Sequence, residues 1–148
     1  GQAHTCALDD EEAWCWGLNI HGALGDGTDS TRAAPVEVAG DHDFTALALG
    51  QGHTCGLTED GEALCWGFNT SGQLGDGSRA DRLEPTPVAG GHTFTALTAG
   101  DYHTCGVTTG GEVLCWGLHP DAPLGDVSPE GSAAEPRPVG EGRILGGT

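Results

Sequence analysis

The chain has 148 residues and a formal net charge of -17, with five basic residues against 22 acidic ones. That length fits one ordinary domain, and so acidic a surface disfavours direct contact with nucleic acid or with anionic membrane. Glycine accounts for 27 residues and aromatic residues for 5%. This composition argues for many tight turns rather than long helices, and no apolar run of roughly 18 residues exists to cross a bilayer.

Read from the start, two strand-like runs flank Asp10-Glu11: "HTCALD" from His4 and "AWCWG" ending at Gly17. If Cys6 faces Cys15, only two residues remain for the hairpin loop. Asp-Glu departs from the Asn-Gly that such loops favour, so strain or a different turn is expected there. A polar stretch over 18–34 follows, then "PVEVAG" from Pro35 and "FTALALG" from Phe44. At His53 the series begins again. "HTCGLT" and "EALCWG" flank Glu59-Asp60-Gly61, and Gly61 suits the left-handed last position of a three-residue loop. At His103 it begins a third time, around Thr109-Gly110-Gly111. The period predicts repeats of about 1–49, 50–99 and 100–148. Four short strands per copy, with no sustained period of 3.6, predict an all-β chain of propeller blades, each of four short antiparallel strands.

The six cysteines fall in three pairs, Cys6/Cys15, Cys55/Cys65 and Cys105/Cys115, each on facing hairpin strands. Facing Cα atoms lie within disulfide reach, and an even count with none left over fits an oxidising compartment. Reduced structural thiols and a metal site are the competing readings. His53, Cys55 and Cys65 supply three ligands, and the set recurs, but structural zinc usually takes four with a tight cysteine knuckle. The spacing favours disulfides.

His4, His53 and His103 occupy one position in every copy. A catalytic histidine is needed once, so a structural hydrogen bond within each blade is expected. Trp16, Trp66 and Trp116 follow the second cysteines, where an aromatic ring packs between neighbouring blades. Trp14, present in the first copy only, is the candidate for ligand stacking. Acids in "DDEE" at 9–12, "DHD" at 41–43 and the "GDG" loops evoke calcium, but the alternating ligand pattern of a dedicated loop is absent. No catalytic motif and no cofactor motif is found.

The stretch "GQGHTCGLTEDGEALCWGFNTSGQLGDGS" at 50–78, with its counterparts, carries His-Thr-Cys, Cys-Trp-Gly, Asn-x-x-Gly-x-Leu-Gly and Pro-x-x-Val in order. It resembles the repeat of the regulator of chromosome condensation family in its disulfide-rich bacterial form. The resemblance covers all three copies and implies a β-propeller, of seven blades in that family. The third copy departs from it, with His119 for Asn69, Ala122 for Gly72 and Val127 for Gly77. Three blades do not close a ring. The expectation is therefore a part of a longer chain of about seven blades, with completion by other chains as the alternative.

The functional expectation is a non-enzymatic, extracytoplasmic protein-binding scaffold. Its partner is met by the variable loops 18–34, 68–84 and 118–135, with the residues Asn19, His21, Asp29, Arg32, Asn69, Arg79, Asp81, Arg82, His119 and Asp121 as candidates. The alternative is a structural, self-assembling subunit. A propeller enzyme would need a unique cluster at the channel, and only repeated residues are seen.

Overall fold

The computed structural model describes residues 4–40, 42–118 and 132–138. Among these the chain is all-β, with eleven strands: β1 (His4–Asp9), β2 (Glu12–Gly17), β3 (Arg32–Glu37), β4 (Phe44–Leu49), β5 (His53–Thr58), β6 (Ala63–Gly67), β7 (Arg82–Pro87), β8 (Phe94–Ala99), β9 (His103–Thr108), β10 (Val113–Leu118) and β11 (Ser132–Pro138). They form three antiparallel sheets in the orders β1-β2-β3, β4-β5-β6-β7 and β8-β9-β10-β11. Neighbouring sheets converge where β1 meets β4 and where β4 and β5 meet β8.

The sheets are out of phase with the sequence period by one strand. "FTALAL", near the end of the first copy, pairs as β4 with β5 of the second, from Phe44↔Thr58 to Leu49↔Thr54. A sequence period fixes the length of a repeat, but the strand at which a sheet begins is decided by pairing. The short Gly50–Gly52 connection sets that pairing by turning β4 straight back on β5.

The hairpin tips follow the loop lengths. In the first sheet Asp9 faces Glu12, and Asp10 and Glu11 both take positive φ, 53° and 73°. This is the left-handed pair of a two-residue hairpin turn, built here without glycine at a cost of roughly 1–2 kcal/mol per residue. One extra residue in the next hairpin relieves this, since Gly61 takes φ 86° and its N–H donates to the Thr58 carbonyl at 2.9 Å.

The core lies between the sheets. Ala13 and Cys15 of the first sheet pack on Phe44, Leu64 and Trp66 of the second. Cys55, Leu57 and Ala63 of the second pack on Phe94, Leu114 and Trp116 of the third. Each tryptophan is tilted against its phenylalanine, with ring centroids 5.7 Å and 5.8 Å apart. The Leu-Gly-Asp motif of one copy roofs the tryptophan of the next. A Cβ on Gly25 would fall 2.6 Å from Trp66 Nε1, and one on Gly75 would fall 2.6 Å from Trp116 Nε1.

Candidate partner-binding loops and the joints that hold them

Three disulfides join Cys6–Cys15, Cys55–Cys65 and Cys105–Cys115, each across one hairpin with Cα atoms 4.0 Å apart. No described cysteine is free. The sulfurs are thus already bonded to one another rather than offered to an ion.

Two of the repeated histidines, His4 and His53, lie at the joints between blades. His4 Nε2 is 2.8 Å from Thr54 Oγ1, and His53 Nε2 is 2.9 Å from Thr104 Oγ1. The bond crosses to the next sheet rather than staying within the blade, which corrects the expectation from sequence. The reason is strand alternation: in His-Thr-Cys the histidine and threonine point to opposite faces, so each histidine meets the threonine one copy on. Thr54 Oγ1 donates to the Ala23 carbonyl at 2.8 Å, and Thr104 Oγ1 to that of Gln73 at 2.8 Å. Each hydroxyl has one proton to give, so it accepts from a histidine Nε2–H. Trp66 Nε1 donates to the same Ala23 carbonyl at 2.9 Å. Burial is the main force lowering the pKa of His4 to about 4 and that of His53 to about 3. For His53 the nearby His4 and His103 add to the effect, and a contact with the His103 backbone works against it.

The loops leading out of β2 and β6 are built around an inward-turned asparagine. Asn19 is fully buried. Its Oδ1 accepts from Leu24 N–H at 2.9 Å, and its Nδ2 donates to the carbonyls of Thr28 and Ser30 at 2.9 and 3.0 Å. Asn69, equally buried, repeats this with Leu74 N–H, Ser78 O and Ala80 O. Neither amide can touch a partner, which removes both from the candidate contact residues. Asp26 and Asp76 close the same loops. Burial works to raise each carboxyl, but hydrogen bonds from Thr28 or Ser78, with Arg32 or Arg82, outweigh it and hold each below the ordinary carboxylate value. Arg32 Nε lies 3.2 Å from Asp26 Oδ2 and Arg82 Nε 2.8 Å from Asp76 Oδ2, each guanidinium half-exposed.

The exposed residues of these loops gather on one rim. His21 Nδ1 sits 3.0 Å from Asp81 Oδ2, linking the first loop to the second, and its ring lies 4.3 Å from that of Phe68. Asp29 and Arg79 are exposed. Leu18, Ile20 and Leu83 stand 44%, 59% and 38% exposed on the same segments. Sequence reading missed these three; the only signal was an apolar residue within a polar loop, as at Leu18 and Ile20 on either side of Asn19. An open groove of 360 Å³ runs along Gly27 and Asp81 to Thr86. His119 and Asp121 lie outside the described residues.

At the opposite end of the strands, the tips bring Glu11, Asp43 and Glu59 together, with carboxylate oxygens within 4.8 Å of one another. All three are exposed. Glu11 and Asp43 come from the acidic runs that evoked calcium, Glu59 comes from the hairpin loop of the second copy, and the third blade has Thr109 at the position of Glu59.

The family model for the regulator of chromosome condensation (RCC1) repeat matches residues 10–57 and 60–107, and a second model of that repeat matches 44–73. No curated protein sequence matches the chain. Among solved structures, human WBSCR16 is similar at 25% identity with a TM-score of 0.84, over 95% of this chain and 38% of that one. Prp20p from Saccharomyces cerevisiae, described with its binding to Gsp1p and histones, is similar at 22% identity and 0.81, over 95% of this chain and 37% of that one. Yeast RCC1 (Prp20) bound to Kap60 superposes with a TM-score of 0.78 at 22% identity, over 95% and 36%. The chain therefore spans less than two fifths of these proteins' length. Repeat motifs, sheet order and family match agree, and the chain belongs to the regulator of chromosome condensation repeat family.

Proposed function

We propose that the chain is a non-enzymatic scaffold that binds a protein partner through the loops 18–34 and 68–84. One observation carries this reading. The repeated polar side chains with described partners, His4, His53, Asn19, Asn69, Asp26 and Asp76, are spent on joints and loop closure, whereas the variable ones face solvent on one rim. Rigid blades presenting variable loops suit recognition better than catalysis, which needs a unique cluster of reactive groups. The related yeast propeller is described with protein partners, Gsp1p, histones and Kap60. In this reading the contacts are His21, Asp29, Arg79 and Asp81, with Leu18 and Ile20 as apolar anchors, while Arg32 and Arg82, which repeat and pair with Asp26 and Asp76, brace the loops. His119 and Asp121 remain candidates from the third loop.

The net charge of -17 favours a basic partner by electrostatic steering, and it disfavours nucleic acid and anionic membrane surfaces. Three hairpin disulfides fit an extracytoplasmic setting: secreted, periplasmic or at the cell surface. No cofactor enters this reading.

A second reading, completion of a ring by further blades, rests on the outer face of the third sheet. There Val113 is 41% exposed, where its counterpart Ala63 is 2% exposed under the third sheet. Affinity capture by the oxidised protein, run in parallel with an Ile20→Asp, Arg79→Glu variant, tests the first reading. A protein retained by the parent and lost by the variant supports it, and retention by both contradicts it. A mass in light scattering that rises with concentration favours the second.

A further inference from the structure

We infer that the buried pair His4 and His53 is an acid-operated release for the blade stack: the joints between sheets hold while the two rings are neutral and give way when they gain protons. The inference stands apart from the choice of partner, because it concerns how the blades are held.

The geometry is that of a neutral relay. Each Nε2–H is committed to a threonine hydroxyl of the next sheet, and that hydroxyl to a loop carbonyl of the preceding one. His53 is fully buried, and its Nδ1 has no hydrogen-bond partner among the described residues. A neutral ring leaves only a bare lone pair there, whereas a protonated one would bring a second N–H and a full charge into the joint. Among the described residues nothing nearby offsets that charge. The elements packed around His53 are β4 (Phe44–Leu49), β6 (Ala63–Gly67) and β8 (Phe94–Ala99), and none carries a titratable side chain other than the bonded Cys65. The titratable groups that face it are His4 on β1 and His103 on β9, both of which oppose a positive charge. His4 is 3% exposed and has one acid on its partner strand, Glu12, which pairs with Asp9 at the far end of the hairpin.

The sign follows from linkage. Both rings have folded-state pKa values lowered from 6.5, to about 4 and about 3. Between those values and 6.5 the unfolded chain binds more protons, so stability is full above about pH 6.5 and falls as the pH drops through that window. Asp26 and Asp76, held below the ordinary carboxylate value, act at lower pH.

The test is thermal unfolding of the full-length oxidised protein between pH 5 and pH 7, beside a His4→Gln, His53→Gln variant. Glutamine can donate to threonine and carries no charge at any pH. The melting temperature of the parent is expected to fall by roughly 10 °C from pH 7 to pH 5, and that of the variant by less than half as much. The exposed His21 and the half-buried His42 and His92 remain in both proteins and cancel. An equal fall in both overturns the inference. Should the variant fail to fold, imidazole NMR titration of the parent decides. His4 and His53 unprotonated at pH 5 support the release, and titration of either near 6.5 sinks it.

Discussion

Asn19 and Asn69 each tie a loop together from within, and much of the rim's shape depends on them. Truncating one removes an acceptor for a buried backbone N–H and a donor for two carbonyls. Asn69→Ala should therefore cost about 2–3 kcal/mol in urea denaturation, by leaving the buried Leu74 N–H and two part-buried carbonyls without their partner. A loss under about 1 kcal/mol would show that water replaces the amide freely. This role was hidden in the sequence, where a polar loop residue reads as exposed and spacing does not tell which way an amide turns. Gly61 and Gly111 were legible, because a three-residue hairpin loop demands a left-handed last residue, and they take φ 86° and 90°. The histidines were half legible. Their recurrence marked them as structural, but the crossing to the next sheet emerges only once His and Thr are placed on opposite faces of one strand.

At the scale of the hairpin, the cysteine pairs set a graded resistance to reduction. Cys55 and Cys65 are wholly buried between two sheets, whereas Cys6 and Cys105 are half-buried. Timed reduction with alkylation and mass spectrometry should open Cys55–Cys65 last. Loss of each bridge should destabilise the protein by roughly 2–3 kcal/mol in the loop-entropy picture. Equal rates for the three bridges would mean that the blades open before any disulfide is attacked. The strand content and the facing cysteines were readable from the motif spacing, since a two-residue alternation fixes which residues pair. The phase of the sheets was not. Nothing in a 49- or 50-residue period says that "FTALAL" belongs with the copy that follows it.

Across the whole molecule, the two joints between sheets are near copies of each other. Phe44, Leu64 and Trp66 fill the first, and Phe94, Leu114 and Trp116 fill the second. The third sheet repeats the receiving surface with Leu97, Cys105, Val107 and Val113, which line a small open cleft of 110 Å³. The family and the blade architecture were legible because repetition amplifies weak motifs. The rim was less so, because its exposed residues are the ones that do not repeat.

The claim that joins these scales is that repeated residues hold the blades while unrepeated loop residues meet the partner. Hydrogen exchange on the oxidised protein, with and without a captured partner, tests it most directly. Protection confined to the segments 18–34 and 68–84 is the predicted result. Protection centred on the hairpin tips at 9–12 and 59–62, with the loops unchanged, would contradict it.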